Sequence, residues 1–390
     1  MIHLLRNVHV YAPEDLGLCH VLVAAGKIVS LSSKLPVIGE DMLASDTDYA
    51  GQKLIPGLVD GHAHITGGGG ETGFSSKVPA VHLSEYTQAG VTTVVGLLGT
   101  DDLTRSTSSL VAQVYALRES GLSAYCYTGG YHVPLTTLTE SVRSDIVHIE
   151  PILGVGELAI SDHRSSQPTF DEVARIAGDA HVAGLMTGKA GIVHFHLGDG
   201  ERGMDLINDL LSKTEIPARV LNPTHCNRKK ALFEQACDLS HLGCFVDVTA
   251  FPVAEGEDGL TAADAYIHYK AKGCPMNKLT ISSDGGGCLP HFDDQGELLH
   301  MDFGRNLALS ESLKELLDMG LSATEVLPVF TTNAARLLRL QHKGCIRVGA
   351  DADLVILDQE NQIQDVMAMG QWHQKNHQTL IFGGFENNSE

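Results

Sequence analysis

Cationic side chains are scarce in this chain: 27 Lys and Arg stand against 48 Asp and Glu, a formal charge of −21 at pH 7. Such a surface repels phosphate backbones and anionic bilayers, which excludes a nucleic-acid or membrane-surface partner. Long apolar runs are missing too. None reaches the roughly 18 residues that a membrane span needs. The opening segment MIHLLRNVHVYAPEDLGLCHVLVAAGKIVSL alternates where a signal peptide would show a cationic and then an apolar region, so no signal peptide is expected. The eight cysteines, Cys19, Cys126, Cys226, Cys237, Cys244, Cys274, Cys288 and Cys345, contain no C-x-x-C pair. In a chain this long that pattern points to reduced thiols in a cytosol and predicts a soluble cytoplasmic protein. Internal repeats and low-complexity linkers are also absent. A small anionic substrate stays compatible with the net charge, provided arginines are placed locally to meet it.

A hydrophobic fraction of 43 % over 390 residues suffices for one large barrel and a small accessory domain. Residues 1 to 55 read as short alternating strands split by turn signals such as Ala12-Pro13-Glu14-Asp15 and Ala25-Gly26-Lys27. From Pro56 onward, apolar runs alternate with amphipathic stretches such as LTRSTSSLVAQVYALRES. Those runs fall at 53 to 60, 90 to 100, 123 to 131, 151 to 160, 191 to 199, 218 to 225, 243 to 249 and 278 to 284. Eight strands interleaved with helices predict an α/β fold, a (β/α)8 TIM barrel, with functional residues at the C-terminal strand ends. Strands return in KGCIRVGADADLVILD. A small β-sandwich formed from both termini is therefore expected: residues 1–55 plus 343–390 as a discontinuous domain, and 56–342 as the barrel.

The first barrel strand runs into His62 and His64, spaced i, i+2. Alternate side chains of a strand share a face, so both could hold one metal ion. An H-x-H pair is weak by itself, since there are 20 histidines. Glu157, His196, His225 and Asp284, each near the end of a later apolar run, complete a plausible ligand set. His194 shares a face with His196, so either could be merely structural. His196 is favoured as the nearer to the strand end. His225 could instead cap a turn, and Asp284 could cap a helix, although the glycines at 285 to 287 open space rather than start one. His132, His163, His373 and His377 are read as surface or supporting residues. Four successive glycines, Gly67 to Gly70, allow a close backbone approach and could offer N–H groups to a carboxylate.

PGLVDGHAH at the start of the barrel, GADADLVILD at its end and the late Asp284 together resemble the amidohydrolase superfamily of metal-dependent hydrolases. Within it, GGGGETG (67–73), GLLGTD (96–101), Tyr131-His132-Val133-Pro134, ISDHRS (160–165), FHLGD (195–199), PTHCNR (223–228) and SSDGGG (282–287) resemble the isoaspartyl (β-aspartyl) dipeptidase family. The resemblance implies hydrolysis of the isopeptide bond of a β-aspartyl dipeptide, with no nucleic-acid or membrane partner and an octameric homo-oligomer. It implies that His62 and His64 bind one divalent metal ion, His196 and His225 a second, and that Asp284 binds the first and handles protons. Two such ions would generate a bridging hydroxide and polarise the scissile carbonyl, with Asp284 as general base and then acid. Zinc suits four imidazoles and carboxylates, without excluding other transition metals. By the same resemblance, Glu71 binds the α-amino group, Gly69 and Thr100 hold the isoaspartyl α-carboxylate, and Tyr131 is the oxyanion donor. Arg164 and Arg228 clamp the carboxylate of the leaving residue.

Two positions depart from the family pattern. The usual bridge between the metals is a carbamylated lysine just before SDHR, whereas GVGELAI (154–160) contains no lysine and Glu157 occupies that position. A glutamate carboxyl lies three bonds nearer the backbone, roughly 3 to 4 Å short of a carbamate. The strand must then come inward, and Gly156 would permit a bulge that does so. Lys189 is the alternative source of a carbamate. Cys288 replaces a serine that contacts substrate. Other readings weighed are a cyclic-amide hydrolase of the dihydroorotase or hydantoinase kind, which would not require the two arginines, and a non-catalytic oligomeric scaffold, which would be expected to lose ligands.

Overall fold

The structure is a computed structural model that describes residues 1–254, 256–292 and 298–386. Among these residues, eight parallel strands form the barrel: Leu58–Ala63, Val91–Gly96, Ser123–Thr128, Ile152–Ile160, Val193–Leu197, Leu221–Thr224, Val246–Thr249 and Leu279–Ser282. The first six pair continuously and the last two pair with each other. Isolated backbone bonds close the ring, one at the first seam and two at the second. Cys226 N–H donates to Asp247 C=O at 3.2 Å, Asp284 N–H to His62 C=O at 3.1 Å, and His64 N–H to Gly285 C=O at 2.8 Å. Both bonds at the second seam involve expected site residues, so closing the barrel also positions the site.

Helices cover the outside, as parallel strands require. The longest, Phe170–Thr187, starts at a capping box in which Thr169 accepts from Glu172 N–H and Glu172 reaches back to Thr169 N–H. It stops at Gly188, whose φ of 75° is left-handed. Its buried face, Val173, Ala177, Ala180, Ala183 and Gly184, packs on the barrel through small side chains. Among the described residues, no helix is long and apolar enough to cross a membrane.

Both termini build a second sheet of nine strands, in the order Gln378–Thr379, Gln371–Lys375, Ile363–Ala368, Leu354–Leu357, Lys53–Pro56, Ile2–Tyr11, Asp15–Ala24, Lys27–Ser32, with Ser45–Asp48 also paired to Ile2–Tyr11. Strand alternation divides it between two cores. Leu354 and Ile356 pack with Val8, Val10, Val21 and Leu54, while Val355 and Leu357 face the barrel cluster. One expectation needs correcting here. The run at 53–60 is two strands: Lys53–Pro56 pairs antiparallel with Leu354–Leu357, and only Leu58–Ala63 enters the barrel. The break is at Gly57, whose N–H donates to Asp353 C=O at 2.9 Å and where a Cβ would stand 2.1 Å from Thr92 Oγ1.

Candidate active site

Six of the expected side chains converge at the C-terminal end of the barrel, and all are buried: His62, His64, Glu157, His196, His225 and Asp284. Glu157 occupies the middle. Its Oε1 lies 3.3 Å from His64 Nε2, and its Oε2 lies 3.0 Å from His196 Nδ1, 3.3 Å from His225 Nε2 and 3.7 Å from His62 Nε2. On the far side of the H-x-H pair, Asp284 Oδ1 stands 3.3 Å from His62 Nε2 and 3.2 Å from His64 Nε2. The backbone at His225 and Asp284 is left-handed, with φ of 57° and 53°, a conformation uncommon for residues other than glycine.

Glu157 reaches this position through a bulge. Between Ile152–Ile160 and Val193–Leu197 the register steps from Val193 opposite Val155 to Phe195 opposite Leu158, so the glutamate strand carries one extra residue. Gly156 is required there, because a Cβ would approach His194 Cβ to 2.9 Å and Tyr127 Cδ2 to 3.1 Å. Opposite the carboxylate, Gly99 leaves room for the cluster: a Cβ would stand 2.6 Å from His64 Cε1 and 3.3 Å from Glu157 Oε1.

The ring nitrogens turned away from the centre have partners in three of the four histidines. His225 Nδ1 meets Thr249 Oγ1 at 2.7 Å, His196 Nε2 meets Asp162 Oδ2 at 2.9 Å, and His62 Nδ1 meets His194 Nε2 at 2.8 Å. At the centre, His62 Nε2 and Asp284 Oδ1 are buried with no hydrogen-bond partner. Their 3.3 Å separation is long for a charge-assisted hydrogen bond, about 2.7 to 2.9 Å. It matches the roughly 3.4 Å between two ligand atoms sharing one tetrahedral ion at about 2.0 to 2.2 Å. The donor set therefore fits a divalent cation. The electrostatics agree. Burial opposes ionisation of Asp284 and Glu157, yet the surrounding imidazoles hold both well below the usual carboxylate range. Burial pushes His225 down to about 3, which leaves it a neutral lone-pair donor. Burial likewise disfavours a charge on His64, but Asp284 and Glu157 outweigh it and raise that ring to about 10.

Around the cluster, Tyr131 O–H lies 2.8 Å from His196 Nδ1, and burial followed by the Glu157 charge pushes its phenol well above 10, so it stays protonated. Glu71 Oε1 accepts from Thr100 Oγ1 at 3.1 Å and from Arg164 Nη1 at 3.4 Å. The Cys288 thiol lies beside Glu71, and burial with that charge pushes it up to about 12. Two of the four glycine amides are already committed, Gly67 N–H to His64 C=O and Gly68 N–H to Gly286 C=O. Gly69 and Gly70, the other two, have left-handed backbones, with φ of 75° and 110°. Arg164 and Arg228 line one cavity of about 290 Å³, which reaches His225.

A model of the amidohydrolase family matches residues 54–384. The chain belongs to that family. Among solved structures it is similar to the β-aspartyl dipeptidase of the thermophilic, keratin-degrading Fervidobacterium islandicum AW-1 in complex with a β-Asp-Leu dipeptide. The identity is 41 % and the TM-score 0.91, over 97 % of this chain and 99 % of that one. A second structure of that dipeptidase gives 40 % identity and a TM-score of 0.87 over the same shares. Dihydropyrimidinase from Brevibacillus agri NCHU1002 has 16 % identity and a TM-score of 0.69, over 98 % of this chain and 97 % of that one. It shares the fold alone.

Other expectations are corrected by the same geometry. Lys189 cannot supply a carbamate, because its ammonium donates to Ile146 C=O and Ile149 C=O, both at 2.6 Å, on the opposite end of the barrel. His373 is neither a surface nor a supporting residue: it is buried in the terminal sheet. His377 is exposed and faces Asp358, and His132 sits between Asp102 and Arg164 C=O. Asp162 went unread in the sequence. It accepts from Arg164 Nε at 3.1 Å and Nη2 at 2.7 Å, while its Oδ2 also holds His196. Its place in SDHR, two residues before Arg164, was the available signal.

Proposed function

We propose that this amidohydrolase uses two divalent metal ions to hydrolyse the isopeptide bond of β-aspartyl dipeptides. The carrying observation is the buried Glu157 carboxylate set between two pairs of histidines, opening onto a cavity that presents two arginines. The likeness to a dipeptidase that binds β-Asp-Leu supports the substrate class. His62, His64 and Asp284 would hold one ion, and His196 and His225 the other, with the Glu157 carboxylate available to both. When bound, the pair of ions supplies an activated water at neutral pH and polarises the scissile carbonyl. Zinc suits the ligand set.

Asp284 takes the proton of the attacking water on its carboxylate and returns it to the departing amine. Tyr131, held as a phenol, donates to the oxygen on which charge develops. Glu71 has one oxygen, Oε2, without a partner, and it receives the substrate α-ammonium. Thr100 and the turn at Gly69 hold the isoaspartyl α-carboxylate, beside Cys288. Arg228, with Arg164, meets the carboxylate of the leaving residue. The isoaspartyl linkage is favoured over the α linkage because it separates the α-ammonium and α-carboxylate from the bond being cut, so both can be held while the carbonyl enters the cluster.

The test is metal analysis together with turnover of β-Asp-Leu, α-Asp-Leu and dihydroorotate. Two metals per chain, loss of activity on chelation and a strong preference for β-Asp-Leu are expected. Equal rates on the two isomers, or a preference for dihydroorotate, would overturn the assignment.

A further inference from the structure

We propose that His194 and Asn222 are positioning residues that fix the tautomer of His62, so that the ring presents its lone pair on Nε2 toward Asp284 and Glu157. This rests on the reading of His62 as a metal ligand. The argument starts from a group whose role is invariant. The carbonyl of Phe245 can only accept, and it lies 3.0 Å from Asn222 Nδ2, which fixes the amide orientation. Asn222 Oδ1 then faces His194 Nδ1 at 2.6 Å, and because a carbonyl oxygen accepts, that nitrogen carries the hydrogen. A neutral His194 is left with a bare Nε2. It stands 2.8 Å from His62 Nδ1, so the shared hydrogen belongs to His62 and the His62 lone pair falls on Nε2.

Every step has one polarity. Reversing any one of them opposes two lone pairs or two N–H groups at hydrogen-bond distance, and no water competes, because His62, His194 and Asn222 are all buried. An unmade hydrogen bond in such surroundings costs more than one on the surface. The arrangement follows from the barrel's register. His194 and Asn222 are directly opposite one another on the neighbouring strands Val193–Leu197 and Leu221–Thr224. His194 shares a face with His196 one layer deeper and stacks on Tyr127, with ring centroids 5.3 Å apart. An apolar side chain would fill the place next to Tyr127 without needing any partner, so packing alone does not account for an imidazole there. Among the neighbouring rings, His225 is anchored by Thr249, and His196 by Asp162, which Arg164 holds in turn, so a series of two side chains behind a ring recurs in this site.

Partners that orient metal-binding histidines typically account for about 10- to 100-fold in metal affinity. Zinc affinity, measured by competition with a chromogenic chelator, should therefore weaken by about that factor in His194→Leu and in Asn222→Leu, with one of the two sites affected. His194→Gln, whose amide oxygen can accept from His62 Nδ1, should recover most of the loss although it is no better a packing replacement. Undiminished zinc affinity in folded Leu variants, or equal losses in His194→Leu and His194→Gln, would overturn the relay. Should the variants not fold, the unaltered chain still decides. In metal-free protein labelled with ¹⁵N-histidine, the His62 resonance, identified by its absence in His62→Gln, should report a hydrogen on Nδ1, the atom that faces His194. A bare Nδ1 would refute the proposal. If the unaltered chain binds no zinc, the metallo-hydrolase reading fails, whereas the tautomer measurement still judges the relay.

Discussion

Oε2 of Glu157 lies 3.0 Å from Nδ1 of His196, the shortest of the approaches that join this one carboxylate to four imidazoles. A charge encoded in the chain thus stands where the family resemblance places a carbamylated lysine. Metal-free protein should regain full activity with zinc in bicarbonate-free buffer. Glu157→Gln keeps the shape and removes the charge, so the repulsion between two cations is no longer screened and metal content should fall toward one per chain. Glu157→Lys should recover only part of the activity, because the bulge that brings a glutamate inward misplaces a longer side chain. Full metal content in Glu157→Gln would show that the bridge lies elsewhere.

Arg228 shares its cavity with Arg164, but the Arg164 fork is held by Asp162. Arg228→Met should therefore raise KM for β-Asp-Leu by about tenfold or more with a smaller change in kcat, and should hardly affect the C-terminally amidated substrate. Equal losses on the two substrates would remove Arg228 from the clamp.

Beyond the arginines, the cavity wall combines Phe251, Pro252 and Leu289 with four acidic residues, Asp199, Glu257, Asp258 and Asp302, against one further cation, Lys229. An apolar or cationic leaving residue suits that wall, and an anionic one does not. In a β-Asp-X series, X = Leu and X = Lys should exceed X = Glu in kcat/KM by roughly tenfold. Asp302→Asn should shrink the advantage of Lys over Glu while leaving Leu unchanged, and a Glu substrate turned over as fast as Leu would contradict this reading of the wall.

Stability should carry an acid-sensitive contribution from His373, far from the histidine–carboxylate cluster. Burial pushes its imidazole from an ordinary 6.5 down to about 4. The unfolded chain takes up this proton first as pH falls, so the contribution is whole above about pH 6.5 and is lost as pH falls toward 4. The window amounts to about 3 kcal/mol at about 1.4 kcal/mol per pH unit. Unfolding free energies of His373→Phe should show a slope against pH shallower by about one proton across that window. Parallel curves would rule His373 out.

The barrel and the convergence of the strand-end side chains were legible because strand period and motif are local properties: His62 and His64 share a face by alternation alone, and the bulge before Glu157 followed from a reach argument and a glycine. What was not legible depends on register or on closure. Asn222 acquires a role only because the strand pairing puts it opposite His194. Gly99 matters because His64 swings next to it from a different strand. The split of the first strand at Gly57 is set by its pairing with residues some three hundred positions later, which no local pattern reveals. His373 was misjudged for a similar reason, since its burial depends on the turn at Gly121 of a distant helix end.

That split has a consequence for how the protein is made. Lys53–Pro56 is seated by Leu354–Leu357, and the chain passes from it through one glycine into the strand that bears His62. During synthesis from the N-terminus, the segment Lys53–Pro56 can pair with Ile2–Tyr11 at once, but its other edge stays open until residue 357 has left the ribosome. The sheet beside the first histidines is thus closed only after nearly all of the described chain has emerged, and a nascent chain halted earlier would carry an open strand edge next to them.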